Sequence, residues 1–289
     1  MRKSLLIVLV VFISGSAMKS DKPAYQFYNL KGKDAGYKDV LNAALGSDIV
    51  FFGELHDSPI CHWLELELTK DLFSEKKENL VIGAEMFETD NQLILNEYLS
   101  GKIKERNFEE EAKLWKNYKT DYKPLVKFAL TNKIPFIATN IPRRYAALVN
   151  KSGLEALDSL SKEAKSFLPP LPIVFDPELK GYKELVKMMA EAGGHDTLNI
   201  AKAQAVKDAT MAYSILQNWK EGNLFIHYNG SYHSDNFEGI VWYIHQAEPD
   251  LRILTISSVE QDGLDTLAQA NARLADYMLC IPSTMCKTN

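Results

Sequence analysis

The sequence predicts an α/β protein built on a mainly parallel sheet of about five strands, covered by helices on both faces and interrupted by a helical, Pro-rich excursion. Three observations predict it. Five short segments rich in β-branched and aromatic residues recur along the chain. Segments with helical spacing alternate with them, and strands joined through crossover helices pair in parallel. The strand segments are apolar throughout rather than on every second residue, as suits a sheet buried on both faces.

In chain order, Arg2 and Lys3 precede nine apolar residues at 5–13 and the small residues Ser14, Gly15, Ser16 and Ala17. That order is a secretory signal peptide, with cleavage expected after Ala17. Nine helical residues rise only about 14 Å, roughly half of a bilayer's hydrocarbon core, which is short for a membrane span. No Cys lies near the cleavage point to accept a lipid. Residues 18–289 are then expected to form one α/β domain, exported to the periplasm or envelope, since no linker divides them. Residues 18 to 48 read as a loosely structured lead-in. Strands are expected at residues 48–53, 80–85, 135–139, 223–228 and 252–257, and helices at 61–73, 92–99, 122–132, 198–219 and 238–246. Residues 150–180, with Pro169, Pro170, Pro172 and Pro177 and no clear period, read as an excursion or lid.

The chain carries 33 Lys+Arg against 38 Asp+Glu, a formal charge of −5, and removing residues 1–17 takes away Arg2 and Lys3 and no acid. That balance argues against a nucleic-acid partner. Nothing beyond the leader is long and apolar enough for a transmembrane helix. Three cysteines are too few for a disulfide scaffold, although an oxidising compartment would permit one bridge between Cys280 and Cys286, leaving Cys61 as a buried thiol.

Chemistry-bearing residues follow the strands. The first strand ends in Gly53-Glu54-Leu55-His56-Asp57, the second in Glu85-Met86-Phe87-Glu88, the third in Asn140-Ile141-Pro142-Arg143-Arg144 and the fourth in Asn229-Gly230-Ser231-Tyr232-His233. In an open parallel sheet these ends share one rim, where ligands bind, so a small-molecule or metal site is expected there. Glu54 follows an apolar run and needs a partner at the edge of a dry core. It reads as a metal ligand or general base, or structurally as an acid paired with Arg143 or a backbone amide. His56 and His233 each stand three residues after a glycine, and with Glu54 they make a reasonable ligand set for a divalent metal; the same spacing also arises for two loop histidines that merely hydrogen-bond. His62 opens the first helix, facing the same crevice or capping the turn. Gln204 and Asp208 share a face of the long helix, among small residues that would bring Asp208 towards the rim, or else form a solvated stripe. His195 precedes Asp196, which can N-cap that helix. His227 reads as a satisfied core residue, and His245 stands without companions.

Taken together, these residues resemble the ChaN-like haem-binding proteins, grouped with Tiki and erythromycin-esterase-like proteins. The pieces are Gly53-Glu54-Leu55-His56-Asp57 with His62, Ala84-Glu85-Met86-Phe87-Glu88, Trp115 with Tyr118 and Tyr122, Ala138-Thr139-Asn140-Ile141-Pro142-Arg143, the run from Ala203 to Ala212, and Gly230-Ser231-Tyr232-His233 followed by Gly239-Ile240. The resemblance implies haem as ligand, a role in iron acquisition at the bacterial envelope, and a site containing Glu54, His56, Glu85, Asn140, Arg143, Asp208 and His233. Haem iron accepts His or Tyr, which this rim offers as His56, His233 and Tyr232. A flat macrocycle against a shallow crevice also suggests a homodimer sharing haem. The alternative is a metal-dependent hydrolase using Glu54 or Glu85 as base beside a metal-activated water. The leader itself is directly testable: protein recovered from a bacterial periplasm should begin at Met18, within a few residues, by intact mass and N-terminal sequencing. Material that keeps Met1 in the cytoplasm would refute the export reading.

Overall fold

Strand side chains alternate between the two faces of a sheet, and this alternation organises the protein. The computed structural model describes residues 22–193 and 197–288. The chain runs through β1 (Gln26–Asn29), β2 (Asp34–Ala35), α1 (Tyr37–Leu45), β3 (Ile49–Glu54), α2 (Pro59–Lys76), β4 (Leu80–Glu88), α3 (Gln92–Leu99) and α4 (Glu105–Glu111). A π-helical turn (Tyr118–Tyr122) leads into α5 (Lys123–Asn132), β5 (Phe136–Asn140), α6 (Arg143–Ser152), α7 (Lys162–Lys165), α8 (Lys180–Glu191) and α9 (Thr197–Asn218). The chain closes with β6 (Leu224–Gly230), α10 (Ile240–Ala247), β7 (Ile253–Gln261) and β8 (Tyr277–Pro282). The expected leader at 1–17 and the pair His195 and Asp196 lie outside the described residues.

The five expected strands are present as β3 to β7, but the sheet has eight strands in the order β2-β1-β8-β7-β3-β6-β4-β5. It is also mixed. β8, β7, β3, β6, β4 and β5 pair in parallel, whereas β1 runs antiparallel to both β8 and β2. The segment expected to be a lead-in therefore contains β1, β2 and α1. Its strands escape a pattern search because β1 has four residues and β2 two. Phe27 and Tyr28 nonetheless enter separate apolar clusters on opposite faces of the sheet.

One face takes Val50 and Phe52 of β3, Ile82 and Ala84 of β4, and Ile226 and Tyr228 of β6, packed with Leu64, Leu68 and Leu72 of α2 and Leu125 and Val126 of α5. The other takes Ile49, Phe51, Val81 and Phe225 against Met211 and Ile215 of α9 and Ile240, Val241 and Ile244 of α10. Each such side chain contributes about 1.5–3 kcal/mol on leaving water, so both faces must be covered. The Pro-rich excursion is a packed layer: Leu157, Leu160, Phe167, Leu168 and Ile173 lie against Tyr145 and Val149 of α6 and Val206 of α9.

Cys280 is buried in β8 and Cys286 is exposed; both are free thiols, so the bridge permitted by the sequence is not formed. Cys61 is the buried thiol expected. No described helix is long and apolar enough to cross a membrane. The rim depends on a close approach at Gly53, where a Cβ would lie 2.8 Å from Ser231 Cα and 2.9 Å from Ile256 O. Both neighbours are backbone, so no rotamer change relieves the clash. Gly53→Ala should cost about 1–3 kcal/mol, read as a lowered urea midpoint; an unchanged midpoint would show that the strand ends spread freely.

Candidate functional site

The alternation that sorts the core also sorts the carboxylates. Glu54 is in phase with Val50 and Phe52, so it turns towards α2 and α5. Glu85 is in phase with Val81, so it turns towards α9. Gly230, which lies opposite Glu54 in the β3–β6 register, sits between the two. A Cβ there would lie 2.7 Å from His56 Nε2 and 3.6 Å from Glu85 Oε2. The absent side chain is what lets the His56 ring lie across the strand end.

Glu54 is buried, and its Oε1 accepts hydrogen bonds from Tyr122 Oη and His56 Nδ1, each at 2.6 Å. His62 Nδ1 stands 3.5 Å from Glu54 Oε2 and 3.4 Å from Glu65 Oε2. Burial alone would favour the neutral acid, but Glu65, His56 and His62 outweigh it and hold the Glu54 carboxyl well below its usual range. Glu65 moves the opposite way, raised by burial and then by the Glu54 charge. His62 is opposed by burial, yet Glu54 and Glu65 lift its pKa to about 11. His56 is likewise raised, chiefly by Glu54 and Glu85 against a burial penalty. Its side chain stays 42 % exposed, and Nε2 has no hydrogen-bond partner among the described residues. A Trp115 edge contact flanks the ring at 4.8 Å between centroids, and Asn117 Nδ2 donates to the His56 carbonyl at 2.9 Å.

On the other face, His233 is enclosed. Its Nε2 lies 3.2 Å from Glu85 Oε1, and its Nδ1 donates to Asp208 Oδ1. The Gln204 amide stands 3.0 Å from Nδ1, Tyr182 Oη donates to Asp208 Oδ2 at 2.7 Å, and the Gly230 amide donates to Glu85 Oε2 at 2.8 Å. Gln204 and Asp208 thus share the face expected of them and meet the rim. Burial resists charge on His233, but Glu85 and Asp208 raise its pKa to about 10. Glu85 in turn falls to about 2, its burial overcome by His233 and, more weakly, His56. For Asp208 burial prevails and the carboxyl is raised despite the imidazolium.

The expected residues therefore divide. His56 shares a cluster with Glu54, while His233 is held in a separate one with Glu85 and Asp208. Arg143 does not pair with Glu54: it is exposed, on an open cleft of about 980 Å³ lined also by Glu88, Lys113, Trp115, Lys116 and Arg144. Asn140 is buried at the end of β5, and its Oδ1 has no partner among the described residues. Tyr232 is 38 % exposed and turns away, donating to the Gly181 carbonyl. His227 is the satisfied core residue expected, bonded to Thr139 and Asn229. Glu65 and Asp121 carry no expectation from the sequence, and Tyr122 enters it only as a residue of the resemblance. Glu65 follows His62 by three residues, a spacing that shares one helix face. Asp121 and Tyr122 sit in the π-helical turn, a distortion often found at functional sites.

The family described as haem-binding uptake proteins of the Tiki superfamily, ChaN, matches residues 40–244. No curated protein sequence matches the chain. Among solved structures, ChaN of Campylobacter jejuni, described with cofacial haem binding, superposes with a TM-score of 0.67 at 17% identity, covering 92% of this chain and 97% of that one. A succinoglycan biosynthesis protein superposes at 0.52 with 14% identity, covering 87% and 91%. An erythromycin esterase in its open conformation does so at 0.51 with 10% identity, covering 89% and 97%. At these identities the structures establish a shared fold.

The Glu85–His233 pair makes stability depend on pH in a defined direction. His233, ordinarily near 6.5 and raised here to about 10, contributes fully below 6.5 and loses its contribution as pH rises towards 10. Glu85, ordinarily 4.5 and lowered to about 2, contributes fully above 4.5 and loses it as pH falls towards 2. Urea denaturation across pH should show both limbs, and Glu85→Gln should flatten the acid limb and shift the alkaline limb to lower pH. An unchanged alkaline limb would mean that Asp208 alone holds the imidazolium.

Proposed function

The chain belongs to the ChaN family of haem-binding uptake proteins in the Tiki superfamily, and on that premise we propose that it binds haem in the strand-end cleft against His56. As an exported protein it would serve haem or iron acquisition at the bacterial envelope. The observation that carries the proposal is the state of the His56 ring. Its Nδ1–H is held by the Glu54 carboxylate at 2.6 Å, which fixes the tautomer and leaves Nε2, lying over Gly230, as the free ring nitrogen, the arrangement by which proteins orient a metal-ligating imidazole. The other expected axial donors are committed. His233 has both ring nitrogens engaged, and the Tyr232 hydroxyl is bonded to Gly181.

The surroundings fit a macrocycle. Trp115, whose edge meets the His56 ring, also lines the cleft of about 980 Å³, at the upper end of the roughly 300–1,000 Å³ usual for small-molecule sites, and supplies an aromatic wall. Lys113 and Arg144 are tied to Asp90. Lys116 and Arg143 make no ion pair among the described residues and can receive two propionates. Bound haem would supply the iron carried and the Soret band by which binding is read. Glu54 would hold His56 in place, and Trp115 would shield the coordinating face from water. Because the cleft is open, the proposal includes a second copy covering the outer face of the ring, giving a haem-shared homodimer.

Haem titration should give a saturable Soret change with dimerisation in sedimentation. His56→Ala should displace the band and weaken binding by about tenfold or more, equivalent to about 1.4 kcal/mol. Lys116→Ala and Arg143→Ala should each weaken binding about two- to fivefold with the band in place, as befits exposed charge pairs. Tyr232→Phe should change neither. An unaltered spectrum in His56→Ala, or no saturation in the wild type, would refute the proposal.

A further inference from the structure

Behind His56 lies a second constellation that the haem reading uses only through Glu54. Glu54 and Glu65, each about 1 % exposed, approach one another between β3 and α2. Glu54 Oε2 and Glu65 Oε1 have no hydrogen-bond partner among the described residues. A buried carboxylate oxygen without a donor is costly, and two of them in one place repel. His62 closes the third side. Its Nε2 faces only acceptors, the His56 carbonyl at 3.2 Å and Asp121 Oδ2 at 3.4 Å, so that nitrogen carries the hydrogen. Nδ1 likewise faces only acceptors, Glu65 Oε2 at 3.4 Å and Glu54 Oε2 at 3.5 Å, so the position between it and the two carboxylates is held by a proton or by a cation that replaces one.

Electron-rich atoms converge in this way when something positive lies between them. The His62-to-carboxylate spacing is long for a hydrogen bond and matches that of ligands around an ion. A direct N–H···O bond runs to about 2.9 Å, whereas ligands bound at about 2.1 Å around a tetrahedral ion stand about 3.4 Å apart. One donor atom from each of Glu54, His62 and Glu65 falls within 4.8 Å of the others.

We propose that Glu54, His62 and Glu65 form a buried site for one small divalent cation. Imidazole with two carboxylates suits zinc, manganese or iron(II), and the nitrogen donor makes magnesium or calcium poorer candidates. Asp121 is the orienting partner that holds the far side of the His62 ring. It is itself fixed by Asn117 Nδ2 at 2.7 Å and Thr288 Oγ1 at 2.8 Å. Glu54 then serves two sites, giving Oε1 to His56 and Tyr122 and Oε2 to the ion. The ion is a structural group that holds this carboxylate in place, and its presence does not depend on haem.

Full-length protein purified without chelator should retain close to one zinc, manganese or iron per chain through gel filtration, by elemental analysis. After chelation, adding back the same metal should raise the melting temperature. Glu65→Gln, which keeps the shape of the side chain, should lose affinity by about 100-fold or more. Asp121→Asn should lose about 10–100-fold, the range for an outer partner, and serves if Glu65→Gln fails to fold. His56→Ala should keep the stoichiometry, which separates this site from the cleft. Metal-free wild type whose melting temperature ignores all three metals, with Glu65→Gln at least as stable, would overturn the proposal in favour of a shared proton. An ion lost in His56→Ala but kept in Glu65→Gln would overturn it in favour of the rim.

Discussion

Glu54 carries a negative charge into the interior at the end of a central strand, and the surrounding architecture is arranged around compensating it. A carboxylate at that depth is tolerated only with donors or cations in contact. The donors come from three separate elements: His56 from the loop after β3, His62 from the first turn of α2, and Tyr122 from the π-helical turn. Each is oriented because Glu54 accepts from it or faces it. The position of the exposed imidazole is thus a consequence of a buried acid, and the aromatic wall formed by Trp115 follows, since Trp115 packs edge-on against both His56 and Tyr122.

The same strand geometry makes the two halves of the rim unlike. Consecutive residues of a strand face opposite sides, and the phases of β3 and β4 send Glu54 and Glu85 to different layers. Glu85 meets a histidine closed in by α9 and forms an internal ion pair. Glu54 meets a histidine whose side chain is left part-exposed. One imidazole is therefore consumed by the fold while the other keeps a ring nitrogen available, a division of labour that equal Gly-x-x-His spacing at positions 53–56 and 230–233 conceals.

Much of this was legible beforehand because the relevant signals are periodic. The apolar runs at β3 to β7 and the helices between them could be placed to within a few residues, and with them the expectation that Glu54, Glu85, Asn140 and His233 share a rim. β1 and β2, with four and two residues, carry too little for a pattern, and β8, six residues between β1 and β7, follows a segment with no crossover helix, so the sequence implies a sheet smaller and more parallel than the one formed. The pairing considered between Glu54 and Arg143 fails because chain position does not reveal which side of the rim a side chain leaves from. Glu65 was legible in principle, as the third residue after His62 on a helix, but only once the buried face of α2 is known. Of the residues that the π-helical turn delivers, Tyr122 enters only through the resemblance and Asp121 carries no expectation from the sequence.

The hydrogen bond from Thr288 to Asp121, together with the Thr288 amide on the Asp57 carbonyl at 2.8 Å, has a consequence for the order in which the molecule is assembled. Asp121 steadies His62, yet one of its two donors lies more than one hundred and sixty residues further along the chain. A contact at such a separation must wait for the intervening chain to bring its ends together. The sheet and its apolar faces can condense while the ring of His62 is still unsteadied, and the polar interior behind the rim acquires its final geometry only when the last strand has docked and the tail has folded back across it.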